Sequence, residues 1–214
     1  MPSGFGDVAP GESSGTNIYS TEKFLVSRRL MYWQVYLHKT VLVAEKMLVN
    51  IILRAKEIGA KAPTAVLNTF LSDGYKAKGI EHHLEEFCCL DDYDVLNAIK
   101  EWTSHSDKVL SFLCKGIINR KLLKIKYSPV PIPEEQTEEK RKQISKMLGI
   151  EGKELDYIVF AGYSESRMYN SKDEKINILF KDGSVKDISK VDNALIDQTL
   201  SGTVKKFYLC YPKS

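Results

Sequence analysis

Residues 19–58 constrain this chain most, because the periodicity there predicts one very long helix with apolar side chains on nearly every side. Ser20 is the expected N-cap, Glu22 falls in the first turn, and the pattern runs to about Ile58 before Gly59. Leu30, Trp33, Leu37, Val41, Ala44 and Leu48 cluster on one side, and Met31, Val35, Leu42 and Val49 fill a flank. A helix this apolar must be covered on most of its faces.

One polar seam interrupts it. At about 100° per residue, Arg28, Tyr32, Tyr36 and Lys39 fall within an arc of roughly 80°. Burying a guanidinium, two phenols and an ammonium without partners is costly, so the seam calls for water, carboxylates or a ligand. An arginine fork suits phosphate oxygens, and tyrosines offer a ring to pack on a sugar or base and a hydroxyl to orient it. That combination fits a nucleotide. The competing readings are core tyrosines with satisfied hydroxyls and an internal pair between Arg28 and a carboxylate.

The rest of the chain separates into regions. Residues 1–18, rich in glycine and hydroxyl side chains, read as a flexible leader. A helix from Pro63 reaches Leu71 and stops at Asp73-Gly74; Asp91 or Asp92 caps another through Trp102; Ser104 or Ser106 caps a third through Ile118. Leu122–Tyr127 alternates lysine with apolar residues, as an edge strand with a solvated face would. Pro129, Pro131 and Pro133 form a stiff connector before a charged helix, Glu134–Leu148, ended by Gly149.

Four β-type runs follow: Tyr157–Tyr163, Lys175–Phe180, Ser184–Ile188 and Val204–Tyr211, with Lys181-Asp182-Gly183 as a hairpin turn. The expected class is α+β: a mainly helical part over 19–128, then a small antiparallel-sheet lobe over 129–214.

The run IYSTEKFLVSRRLMYWQVYLHKTVLVAEKMLVNIILRAKEIG, with R-x3-[YH]-x3-Y-x-H-K laid over its apolar periodicity, resembles the helix after the catalytic core of HD-domain phosphohydrolases. The relevant members are the dGTPases and the SAM-and-HD-domain dNTP triphosphohydrolase, and a fainter likeness covers the later helices and the α+β lobe. The resemblance implies that Arg28 contacts substrate phosphate and that Tyr32 and Tyr36 line the sugar and base pocket. It also implies that Lys39 lies near a regulatory nucleotide at a subunit interface. A nucleotide substrate, a homo-oligomer and the C-terminal portion of the enzyme follow as expectations.

That family also needs a divalent metal, such as Mn, Mg or Fe, held by His…His-Asp…Asp ligands, to polarise phosphate and activate water. No His-Asp pair occurs here: the histidines are His38, His82, His83 and His105. The metal is therefore expected in the complete enzyme and not on this chain, which by itself is expected to be inactive. A non-catalytic regulatory or oligomerisation module is the alternative, motivated by the apolar girdle of the long helix.

Other function classes find little support. Glu81-His82-His83-Leu84-Glu85-Glu86-Phe87-Cys88-Cys89 holds zinc-ligand residue types, but tetrahedral sites draw ligands from separated elements, so a solvated face beside two buried thiols is expected. His105 reads as a capping or hydrogen-bonding residue. The chain has no G-x-S-x-G elbow, Walker loop or GxGxxG. A net charge of +3 with interleaved signs argues against nucleic acid, and no apolar run reaches the length of a membrane span. Cysteines without CxxC spacing and a start unlike a signal peptide point to a cytoplasmic setting.

Overall fold

The computed structural model describes residues 13–31, 34–35, 38–72, 79–166, 176–180, 182–191 and 204–213. They form two compact units, one from residues 1–37 with 165–205 and a larger one from 38–164 with 206–214.

The smaller unit contains α1 (Ser13–Met31) and a two-stranded antiparallel hairpin, β3 (Asn177–Leu179) and β4 (Val185–Asp187). Leu25 and Glu22 are buried on α1, and Ile188 and Val191 are buried beyond β4. The hairpin closes as expected around Asp182-Gly183: the Gly183 N–H donates to Phe180, and Gly183 takes a positive φ of 79°.

The larger unit is built on α2 (Lys39–Glu57). Leu42, Val43, Met47, Ile51 and Ala55 recur at helical spacing and are all buried, each large side chain contributing about 1.5–3 kcal/mol of burial. After α3 (Ala65–Leu71) and the short α4 (Leu84–Cys89) come α5 (Asp92–Trp102) and α6 (Lys108–Ile118). These last two add Ala98, Ile99, Trp102, Val109, Leu110, Leu113 and Cys114 to the same core. The Trp102 indole N–H is satisfied by the Lys61 carbonyl at 2.9 Å. A three-stranded sheet covers the rest, in the order β1 (Lys124–Ser128), β5 (Val204–Tyr211), β2 (Phe160–Ser166), with α7 (Glu134–Leu148) between β1 and β2 in sequence. β1 from the 19–128 stretch pairs antiparallel with β5 from the 129–214 stretch, so the sheet joins the two stretches.

The α+β class stands, but the single long helix does not. α1 starts at Ser13, seven residues before the expected cap, and ends at Met31. α2 starts separately at Lys39, where His38 has extended backbone and its Nδ1 accepts the Thr40 N–H at 3.3 Å. No glycine or proline lies between Gly15 and Gly59, so local propensity offers no sign of this break.

Smaller corrections have equally local causes. Asp107, not Ser104 or Ser106, caps α6, because its carboxylate reaches the Leu110 N–H at 2.7 Å. Tyr157 ends a 3₁₀ turn, Gly152–Tyr157, and the strand begins only at Phe160. Cys88 and Cys89 are exposed, while Cys114 and Cys210 are the buried thiols, and burial pushes both up to about 12.

Candidate phosphate-binding cleft

Three chain segments from the larger unit meet at the start of α2. Lys39 and Thr40 open the helix there, exposed above a buried floor of Val43 and Leu123. The end of α6 supplies Arg120, the strand β1 supplies Lys124, and the residue after buried Pro212 supplies Lys213. Together they bound a cleft of about 300 Å³, lined by Lys39, Arg120, Lys124 and Lys213 with no carboxylate among the described lining residues.

The way α6 ends sets the position of Arg120. The Lys121 N–H donates to Gly116 at 2.8 Å and the Arg120 N–H to Ile117 at 3.1 Å, closing a C-terminal turn that needs a left-handed residue. Arg120 fills that place with φ of 55°, where glycine is the usual occupant. Close packing fixes the turn further. A Cβ on Gly116 would lie 2.7 Å from Met47 Cε and 3.2 Å from the Lys121 carbonyl, and Met47 Sδ accepts the Leu123 N–H at 3.5 Å. Because the cleft gathers positive charge at a helix N-terminus, it favours an anion with several acceptor oxygens.

At the other end of α2 an ion cluster holds the unit together. Arg54 is buried, and its Nε and Nη2 donate to the two oxygens of Asp107 at 3.2 and 2.6 Å. It also donates to Glu57 and Glu154, each at 2.7 Å, and lies over the Tyr157 ring at 5.7 Å. The Tyr157 hydroxyl donates to Glu57 at 3.0 Å, and its carbonyl accepts from Asn50 at 2.9 Å.

The bonds to Asp107, against the effect of burial and helped by those to Glu57 and Glu154, raise the Arg54 guanidinium above its ordinary value. Burial pushes Asp107 up, yet the Arg54 bonds and the Leu110 N–H outweigh it and hold the carboxyl below the usual range. Glu57 is lowered by Arg54 first and Tyr157 second. With four hydrogen bonds committed to three carboxylates, Arg54 acts as a structural clamp.

Of the residues singled out in the sequence, Arg28 lies exposed in the last turns of α1, in the smaller unit, and Lys39 opens α2 in the larger one. Tyr32 and Tyr36 lie outside the described residues. Sequence reading did not find Arg120, Lys124 and Lys213 as partners of Lys39. The alternation of lysine with apolar residues in β1 reads as a solvated edge, and nothing local signals that Arg120 takes a left-handed backbone. Among the described residues no group of three or more His, Cys, Asp or Glu side chains is arranged to hold a metal ion; the three carboxylates that do meet, Asp107, Glu57 and Glu154, are taken up by Arg54. In the segment 81–89, His83 and Glu86 approach to 3.5 Å. Among the described residues, no helix is long and apolar enough to cross a membrane.

In fold, the chain is similar to a phosphohydrolase. The crystal structure of a phosphohydrolase from Bacteroides thetaiotaomicron VPI-5482 superimposes with a TM-score of 0.80 at 42% identity, covering 94% of this chain and 51% of that one. The uncharacterized protein YwfO of Bacillus subtilis (strain 168) is 27% identical over 217 residues, covering 92% of this chain and 46% of the relative. The chain thus spans about half the length of the proteins it matches. No family model matches it.

Proposed function

We propose that this chain is the nucleotide-contacting part of an HD-superfamily, metal-dependent, dNTP-like phosphohydrolase, with the metal ligands on residues it does not contain. In this reading Arg28 meets substrate phosphate, Tyr32 and Tyr36 meet sugar and base, and Lys39 belongs to a separate site for the phosphates of a regulatory nucleotide. The cleft of Lys39, Arg120, Lys124 and Lys213 is the observation that carries it. Such a density of cations, with no acid among the described lining residues, is repulsive when empty, and a bound triphosphate relieves that repulsion. The 42% identity to a phosphohydrolase supports the same assignment.

A bound divalent ion would supply Lewis-acid activation of water in the complete enzyme. The chemistry open to the described residues is different: they bind and orient phosphate. Calorimetric titration with dGTP, dATP and inorganic triphosphate tests this directly. Binding that falls by about tenfold or more in Lys39→Ala combined with Arg120→Ala is expected, since two charge-assisted contacts are lost. Mixing the chain with the unmatched half of the Bacteroides phosphohydrolase and Mn²⁺ should release phosphate or triphosphate from dNTPs. Absence of nucleotide binding together with inactivity of a stable mixture would rule the reading out.

A non-catalytic oligomerisation module is the second reading. Its support is the row Val41, Val49 and Leu53 on α2, at helical spacing and 46–50% exposed. Light scattering separates the two: a nucleotide-insensitive dimer favours the second.

A further inference from the structure

The charge arrangement of the cleft poses a problem that a residue outside its lining answers. Lys39, Arg120, Lys124 and Lys213 repel one another, and a lysine on a flexible four-carbon stem turns away from such a neighbourhood unless something holds it. Lys124 has such a restraint. In the β1–β5 register it lies directly opposite Tyr211, and its Nζ sits 5.9 Å from the centre of the Tyr211 ring. The ring is fixed, since Tyr211 is half-buried and packs against the hydrophobic core. Lys140 of α7 also places its Nζ over this ring, at 5.1 Å, and is anchored by a 2.8 Å hydrogen bond to Gln143 in its own helix. The aromatic face attracts a cation by its quadrupole, so it stabilises Lys124 where its like-charged neighbours would expel it.

We propose that Tyr211 is a positioning residue for the cleft: its ring holds the Lys124 ammonium ready to meet a polyphosphate, without itself touching the ligand. The proposal rests on the reading of the cleft as a phosphate site. It adds that affinity there depends on an aromatic ring at the end of β5, two residues before Lys213 delivers its own charge.

The test is a double-mutant cycle read by calorimetry with inorganic triphosphate on the full chain. Tyr211→Met keeps bulk and apolar packing but removes the ring, and should weaken binding about three- to fivefold. Tyr211→Phe keeps the ring and should bind within about twofold of the natural chain. In a Lys124→Met background the Tyr211→Met change should make no further difference, whereas a merely structural role would lower affinity in both backgrounds.

Equal affinity of Tyr211→Met and the natural chain, or a Tyr211→Phe as weak as Tyr211→Met, overturns the proposal while leaving the cleft assignment intact. A natural chain that binds no triphosphate at all overturns the cleft assignment and the proposal with it. Should Tyr211→Met fail to fold, carbon-13 methylation of the lysines gives a second measurement on the natural chain. The Lys124 signal, assigned by its loss in Lys124→Arg, should be ring-current shifted before ligand is added and move again on titration with triphosphate. An unshifted Lys124 signal rejects the positioning role.

Discussion

Arg54 and Asp107, separated by 53 residues in sequence, meet as a two-bonded pair whose shorter contact is 2.6 Å. Asp107 is at once the partner of this buried guanidinium and the cap of α6, so one carboxylate ties the last turn of α2 to the first turn of α6. Glu154 and Tyr157 attach the 3₁₀ turn before β2 to the same point. Replacing Arg54 by Met leaves Asp107 partly buried without its cation, and should cost about 3 kcal/mol, the low end for a broken buried pair because Glu57 and Glu154 remain half-exposed. Urea unfolding of the two chains measures it. A loss below about 0.5 kcal/mol would mean the cluster behaves as a surface pair.

The same cluster sets an acid limit. Asp107 and Glu57 are both held below their ordinary values of 3.8 and 4.5, so the folded state takes up protons less readily than the unfolded one. Their stabilisation is therefore complete above those ordinary values and is lost as pH falls through the lowered ones. The Arg54 guanidinium, raised when folded, contributes at every pH below its own ordinary value, which spans the whole working range. The urea midpoint should stay nearly level from about pH 7 to pH 5 and drop below about pH 4.5, with a shallower drop in Arg54→Met. A midpoint that falls equally in both chains would locate the sensitive carboxylates elsewhere.

Features written into a few adjacent residues were legible in the sequence. Asp91 caps α5 in a reciprocal box with Asp94, and Gly149 ends α7 at a φ of 62°, both where the residue types placed them. What escaped was made by distance. The Arg54 cluster joins residues 54, 107 and 154, and the cleft joins 39, 120, 124 and 213, so neither has a local pattern to read. The break between α1 and α2 escaped for the opposite reason: its local pattern favours helix throughout, and the extended backbone at His38 overrides propensity.

Buried polar groups offer a check on packing. Thr137, in the first turn of α7, is buried, and its hydroxyl has no hydrogen-bond partner among the described residues. Valine keeps nearly the same shape and removes the unsatisfied group, so Thr137→Val should stabilise by about 1 kcal/mol. Thermal unfolding reads this as a rise of several degrees; a decrease would show that the hydroxyl is hydrogen-bonded in solution.

Gly116 connects the core to the cleft. A methyl group there would meet the flexible end of Met47, which can yield, and the Lys121 carbonyl, which belongs to the turn carrying Arg120 and yields less easily. Gly116→Ala should therefore cost about 1–2 kcal/mol through overpacking, despite the better helix propensity of alanine. It should also weaken triphosphate binding, since the turn must shift. Unchanged affinity in a folded, destabilised variant would separate the turn from the cleft.

Arg120 gives the sharpest contrast between stability and binding. It occupies a left-handed position with φ of 55°, the only positive φ of a non-glycine residue among those described, and it lines the cleft. A non-glycine residue there costs about 1–3 kcal/mol, and glycine relieves that strain while giving back roughly 0.5–1 kcal/mol in chain entropy. Arg120→Gly should thus raise stability by about 0.5–1 kcal/mol while removing one charge-assisted phosphate contact, worth about tenfold in affinity. Opposite signs in the two measurements are the signature of a residue kept for its ligand and not for its fold. Loss of stability together with unaltered triphosphate binding would make Arg120 a structural residue, and would leave Lys39, Lys124 and Lys213 as the cleft's phosphate contacts.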